Sequence, residues 1–138
     1  MSTPSFHMVI GAPRPVAPFS HAVESGGWVF VTGQMPTDPR DPDAPLAAGI
    51  EAQTRRVMEN LSIVLRGVGL RFEHVVAARA YLSRFERDYE AMNAVYRTYF
   101  APDRLPARTC IGVTALAVGA LVEIDCIAHH PSLDAYGP

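Results

Sequence analysis

Residues Pro106 to Ala128, PARTCIGVTALAVGALVEIDCIA, hold single charged residues inside two strongly apolar runs. The runs 108–113 and 121–128 are rich in β-branched residues, and this pattern predicts two strands. Residues 114–120 between them are too many for a two-residue turn. We therefore predict a hairpin with a longer loop, in which Gly119 takes a positive φ or forms a bulge.

The charged residues of these runs are the first candidates for a functional site. Side chains alternate between the two faces of a strand, so Arg108 and Cys110 share one face, and Glu123 and Asp125 share another. If the strands meet with these faces together, Arg108 and Glu123 line one pocket. A charge among apolar residues is costly unless it is paired, hydrogen-bonded or hydrated. Two interpretations stay open: a structural ion pair on a wet strand face, or a functional cleft.

Length and composition are typical of one globular domain. The chain has 138 residues, of which 49 % are hydrophobic and 19 % charged, and we predict a single domain over residues 1–138. A net charge of −2 gives no basic surface for nucleic acid or membranes, so neither partner is expected. No apolar run approaches the roughly 20 residues that span a bilayer. The N-terminus lacks a signal-peptide pattern, and we expect a cytoplasmic protein.

The cysteines and the paired histidines do not form a metal-binding pattern. Cys110 and Cys126 lie in strand-like runs outside any CxxC motif, so we interpret both as small hydrophobic residues. His129 and His130 follow the last strand without a third ligand at metal-like spacing, which favours surface residues. We expect no metal site.

The rest of the chain alternates strand patterns, loops and two amphipathic helices. Strands are predicted over 6–10 and over 20–32, the latter as a hairpin that turns at Gly26-Gly27 and is terminated by Gly33-Gln34. Residues 36–46 contain four prolines and predict a surface loop. Apolar residues at helical spacing predict one helix over 50–68 and a second after a Ser83–Glu86 capping box, on either side of a strand over 75–82.

These elements predict an α+β fold in the order β-β-β-α-β-α-β-β. Two helices would cover one face of a mixed sheet, and the other face needs a cover of its own. The simplest candidate at this size is another copy of the chain, which predicts a homo-oligomer with pockets between subunits.

Six segments resemble the reactive intermediate deaminase (RidA-like) family, also called endoribonuclease L-PSP. They occur in order over nearly the whole chain, and PAR-x-C followed by the VEI-acidic strand is the most specific part. The segments are APFSHAV at 17–23, VFVTGQM at 29–35, EAQTRRVMENL at 51–61, MNAVYRTYF at 92–100, PARTC at 106–110 and LVEIDCIA at 121–128.

The resemblance implies a chorismate-mutase-like fold and a homotrimer with a barrel-like core and three clefts at subunit interfaces. It also implies hydrolysis of reactive 2-imino acids and their enamine tautomers to 2-keto acids and ammonia, without a metal or cofactor. By position, Arg108 matches the residue that binds the substrate carboxylate, and Glu123 matches the acid that directs water. The positions that line or support the family's pocket are Phe19, Thr32, Gly33, Asn93 and Cys110.

These residue types suit that chemistry. A guanidinium offers two parallel donors to a carboxylate. A partly desolvated Glu can have a raised pKa and can deprotonate or position water for attack on the C=N carbon. We interpret Cys110 as a wall residue rather than a nucleophile, because imine hydrolysis needs no covalent intermediate. Asn93 is expected to bond backbone at the cleft, and Asp125 is expected to be structural.

Phe19 stands where the family often has Tyr, so the aromatic wall is kept but a hydroxyl donor is lost. This departure leaves two further functions open. One is a pathway-specific deaminase of a larger enamine, of the aminomuconate or aminoacrylate type; the other is a non-catalytic trimer that binds small carboxylates or partner proteins. Ribonuclease activity, suggested by the family's older name, is the least favoured, because the sequence has no basic aromatic surface.

Overall fold

A computed structural model describes residues 3–131 and contains one six-stranded sheet and two α-helices in this range. The predicted α+β class and element order are confirmed. Short 3₁₀ turns cover 72–74, 97–99 and 117–119. The elements are β1 (Ser5–His7), β2 (Ala22–Ser25), β3 (Trp28–Gln34), α1 (Ile50–Gly67), β4 (Val75–Leu82), α2 (Phe85–Tyr96), β5 (Ala107–Gly112) and β6 (Val122–His129).

The strand order in the sheet is β1-β2-β3-β6-β4-β5. The β4–β5 pair is parallel and every other pair is antiparallel. The predicted β2–β3 hairpin is confirmed, with φ of 59° at Gly26 and 85° at Gly27, where a two-residue turn requires left-handed backbone. β3 runs to Gln34, two residues beyond the predicted end at Thr32, and its register on β6 shifts after Val31.

The predicted hairpin between the Arg108 strand and the Glu123 strand is wrong. β4 lies between β5 and β6, so the connecting segment must cross the end of β4. Backbone bonds hold it there: Val113 N–H donates to the Leu82 carbonyl, and Ser83 N–H donates to the Leu121 carbonyl. This crossing explains the length of the connection, in which Gly119 has the predicted positive φ.

The core lies between the two helices and one face of the sheet. The predicted capping box of α2 is absent: Arg84 is the N-cap residue, and the Ser83 hydroxyl instead donates to the Ala120 carbonyl. Within residues 3–131, no helix combines the length and hydropathy needed to cross a membrane. Fully buried apolar residues include Val57, Met58, Leu61, Val64 and Leu65 of α1, Met92 of α2, and Val29, Val122 and Ile124 of the sheet.

The opposite side of the sheet, here called the open face, is not covered by any element of residues 3–131. One register row crosses all six strands on this face, and it is mostly apolar: Phe6, Val23, Phe30, Ile127, Ala77 and Ala107. Trp28 lies beside this row, with 45 % of its surface exposed, and its ring meets His129 edge-on at 4.4 Å. An apolar surface of this extent is typical of a protein interface.

Asn60 fixes the start of the 36–46 loop against α1. Its buried amide nitrogen donates to the carbonyls of Met35 and Thr37 at 2.9 and 2.8 Å, and its amide oxygen accepts from Arg56 Nε at 3.2 Å. These bonds hold the chain directly after β3, next to the Thr32-Gly33 segment.

We expect Asn60→Leu to lower the free energy of unfolding by about 1–3 kcal/mol, because two carbonyls lose their donor. Urea unfolding at fixed protein concentration measures this difference. Arg55→Ala, at an exposed position of the same helix, is the control and should change stability by less than about 0.5 kcal/mol. Equal losses in both variants would contradict the role of the Asn60 amide.

Candidate functional site

Arg108 lies on β5 and its side chain points toward the helices. In the sheet it is in register with Ala78, which is in register with Cys126, and both neighbours are buried under the helices. The Arg108 terminal nitrogen donates to Asn93 Oδ1 of α2 at 2.7 Å, and the guanidinium carbon lies 4.9 Å from the centroid of the Tyr96 ring. The guanidinium is thus held by a hydrogen bond to a neutral amide and by a cation–π contact.

Arg108 has no acidic partner among residues 3–131, where the ion pairs involve other side chains. It borders a cavity of about 450 Å³, a volume that suits a small-molecule ligand. Asn93, Tyr96, Leu105 and Pro106 form part of the wall. The side chain of Asn93 therefore bonds the guanidinium, not backbone as expected.

Cys110 follows two residues later on the same face of β5 and packs against the core. Burial raises the pKa of its thiol, while the Arg108 charge acts in the opposite direction. A raised pKa keeps the thiol protonated and poorly nucleophilic. The geometry thus agrees with a wall residue.

Glu123 lies on the open face, in register with Tyr81. Its carboxylate rests directly against Gly33 of β3, so that a Cβ at position 33 would overlap Glu123 Oε2. Burial, and secondarily the charge of Asp125, raises the pKa of Glu123. A carboxyl group with a raised pKa is suited to accept and return a proton near neutral pH.

The remaining predicted residues surround a second cavity, of about 380 Å³, on the open face. Phe19, Thr32 and Gly33 line it together with Arg79 and Asp125. Asp125 is structural, as expected, because Arg79 Nε donates to its carboxylate at 2.9 Å and the Tyr81 hydroxyl donates at 3.2 Å.

The predicted site residues therefore form two groups on opposite faces of one sheet. Arg108, Asn93 and Cys110 are on the helix side, whereas Glu123 is on the open face with the cavity formed by Phe19, Thr32 and Gly33. The condition for Arg108 and Glu123 to line one pocket, that their faces meet in the sheet, is not met within one chain. The cause is the intervening β4, which places Glu123 three register rows from Arg108 and on the other face.

Sequence reasoning did not identify Tyr96 of α2 as part of the site. Tyr96 does pack in the core, yet its ring also supports the Arg108 guanidinium. The available signal was its spacing of three residues from Asn93, which puts both on one helix face.

Among residues 3–131, no group of three or more His, Cys, Asp or Glu side chains is arranged to hold a metal ion.

A protein-family model described as Endoribonuclease L-PSP matches residues 9–130 of this sequence. The chain belongs to this family. A RutC family protein of Synechocystis sp. is 37 % identical over 121 residues, which cover 88 % of this chain and 92 % of the relative. The 3-aminoacrylate deaminase RutC of Acinetobacter baylyi is 36 % identical over 119 residues, covering 86 % of this chain and 92 % of that protein.

The fold is also that of the L-PSP family. The crystal structure of YyfA from Yersinia pestis, a Rid-family protein of unknown function, superposes with a TM-score of 0.86 at 32 % identity and covers 93 % of this chain and 100 % of that one. The resemblance drawn from PARTC and LVEIDCIA is thereby confirmed. The family includes a named enamine deaminase, and deamination is accordingly a role found within it.

The contact between Gly33 and Glu123 can be measured by a double-mutant cycle. We expect Gly33→Ala to cost about 1–3 kcal/mol of stability, because the new methyl group must displace the Glu123 carboxylate. In a Glu123→Ala background the same change should cost little, since the space is then free. Chemical unfolding of the four proteins gives the coupling energy. An equal cost in both backgrounds would show that Glu123 does not lie against Gly33.

Proposed function

We propose that this protein is a hydrolytic deaminase that converts 2-imino acids and their enamine tautomers to 2-keto acids and ammonia. The observation that carries the proposal is Arg108, which is held by Asn93 and Tyr96 at a small-molecule-sized cavity with no acidic partner among residues 3–131. A partly buried cation in this state is suited to bind an anionic ligand. The membership of a 3-aminoacrylate deaminase in the same family supports this assignment.

In this proposal, a second copy of the chain completes each active site. Arg108 lies on the edge strand β5, and Glu123 lies on the apolar open face, so one copy can bring its edge to the open face of the next. Repetition of this contact around a threefold axis makes the homotrimer that the family resemblance implies, with three sites between subunits. It also covers Phe30 and Trp28.

The substrate carboxylate would bind to the Arg108 guanidinium, whose planar shape fits two carboxylate oxygens. The contacts to Asn93 and Tyr96 fix the orientation of the guanidinium before the substrate arrives. The C=N carbon, which is bonded to this carboxylate, is then held at a constant position relative to Glu123 of the adjacent copy. Such positioning lowers the entropy cost of attack by water.

Glu123 of the adjacent copy would act on the water. As the water oxygen bonds to the carbon of the protonated imine, Glu123 accepts a water proton, giving a neutral carbinolamine. Glu123 then returns this proton to the amine nitrogen. As the C–N bond breaks, the hydroxyl proton passes to solvent, ammonia leaves and the 2-keto acid remains. The pKa of Glu123, raised by burial, suits both transfers.

Phe19 has no hydroxyl group, and it therefore favours substrates that need no hydroxyl donor from this position of the cavity wall. It is 39 % exposed and forms an apolar side of the open-face cavity. A short enamine acid, of the kind named for the Acinetobacter relative, is compatible with such a wall. The non-catalytic alternative predicts binding of keto acids by the same residues without turnover.

We expect Arg108→Ala to lower kcat/KM for 2-iminobutyrate by about 10–100-fold, because a charged hydrogen-bonded anchor is lost. The imine is generated in situ by a threonine dehydratase, and release of 2-oxobutyrate is followed. Arg66→Ala, at the exposed end of α1, is the control. If Arg108→Ala and wild type accelerate release equally, Arg108 has no part in the reaction; if wild type does not accelerate it, the assignment fails for this substrate.

A mixing experiment tests whether each site is shared between chains. Arg108→Ala and Glu123→Gln are each expected to be nearly inactive, but co-expressed and purified as mixed oligomers they should recover about a quarter of wild-type activity, the share of sites with both intact residues. The control is a mixture of wild type with the Arg108→Ala/Glu123→Gln double variant. It measures how mixing with inactive chains changes the activity of wild-type chains. Mixed oligomers no more active than the sum of their parents would place both residues in one chain's site.

A further inference from the structure

A second arginine, Arg97, also lines the cavity beside Arg108. Arg97 follows α2 directly and is exposed, and its Nε donates to the backbone carbonyl of Asn93 at 3.3 Å. The side-chain oxygen of the same Asn93 accepts from Arg108. Both arginines are therefore hydrogen-bonded to one residue and line the same cavity.

Neither guanidinium has a carboxylate partner among the side chains of residues 3–131. Two like charges at one cavity repel each other, and the repulsion is relieved when an anion with two acid groups binds between them. The bond from Arg97 uses Nε, so its two terminal nitrogens keep their donor geometry for a carboxylate. The cavity volume of about 450 Å³ accommodates a small dicarboxylic acid.

The rest of the cavity wall includes apolar groups. Leu105 and Pro106, on the segment before β5, contribute carbon atoms to the cavity, and Tyr96 supplies an aromatic ring. A short aliphatic chain with an acid group at each end matches this arrangement of two cations and an apolar wall. A substrate with one acid group and a neutral end leaves Arg97 without a partner.

We infer that Arg97 is a specificity residue that selects 2-imino acids with a second carboxylate, with Arg108 binding the carboxylate next to the C=N carbon and Arg97 binding the distal one. This inference rests on the proposed deaminase function, since it names the substrate class of that site. The reaction is unchanged: water adds to the C=N carbon and ammonia leaves, while the distal carboxylate stays intact. Reactions that oxidise acidic amino acids supply imines of this class.

The test compares a diacid with a monoacid in the full-length protein. 2-Iminoglutarate is generated by glutamate oxidase and 2-iminobutyrate by threonine dehydratase, and keto-acid release is measured for wild type and Arg97→Gln. We expect Arg97→Gln to lower kcat/KM for the diacid by about tenfold, because one charged hydrogen bond is lost, and to leave the monoacid unchanged. Arg104→Gln removes an exposed charge from the 101–106 loop, outside the cavity wall, and should affect neither substrate.

Calorimetric binding of the products separates this inference from the proposed function. Wild type should bind 2-oxoglutarate about tenfold more tightly than 2-oxobutyrate, and Arg97→Gln should abolish the difference. Selective binding without turnover of either imine would refute the deaminase reaction and support the diacid site. Turnover of the monoacid with no selective loss in Arg97→Gln would overturn the diacid site alone. A change in oligomeric state without a change in selectivity would overturn it as well, because Arg97 would then serve the subunit contact.

Discussion

The alternation of side chains across one sheet, with β4 inserted between β5 and β6, is the constraint on which the candidate site depends. A side chain on β5 and a side chain on β6 meet only when they share a face and a row. Arg108 and Glu123 share neither, so a single chain holds two incomplete halves. Any chemistry that needs both must bring together two surfaces of the molecule, and the exposed edge and the apolar open face are those surfaces.

Two arginines of the sheet, Arg79 and Arg108, differ in whether their charge is balanced by an acidic side chain. On the open face, Arg79 is paired with Asp125, and its charge is balanced within the chain. On the helix side, Arg108 contacts an amide and an aromatic ring, which orient it without balancing its charge. A cation that is oriented but unbalanced retains its attraction for an anion, at a cost in folding stability that the surrounding core must offset. Functional sites in proteins commonly carry such a cost.

Much of the fold could be predicted from the sequence because its signals are local. Helical spacing of apolar residues placed α1 to within a residue, and a strand-like apolar run placed β4. The Gly26-Gly27 pair placed the β2–β3 turn. The β5–β6 hairpin was wrong because the order of strands in a sheet is a long-range property. A connection of nine residues, from 113 to 121, is compatible with either a loop or a crossing of β4.

The site was predicted by composition rather than by contact. Charged residues in apolar strands identified Arg108 and Glu123, but alternation within each strand cannot reveal that the two strands are separated by a third. Likewise, the family resemblance identified Gly33 as a pocket position, whereas its contact with the Glu123 carboxylate is apparent only in the structure. Tyr96 was hidden because an aromatic residue on an amphipathic helix has the same pattern whether it fills the core or supports a cation.

Trp28 is the single tryptophan of the chain, and it lies on the open face with nearly half its surface in solvent. Indole fluorescence responds to the polarity around the ring, so the intrinsic emission of this protein reports on one surface only. Packing of another molecule against that surface would shift the emission to shorter wavelength, and dilution that separates them would reverse the shift. The molecule thus contains its own optical indicator of whether its uncovered sheet is occupied.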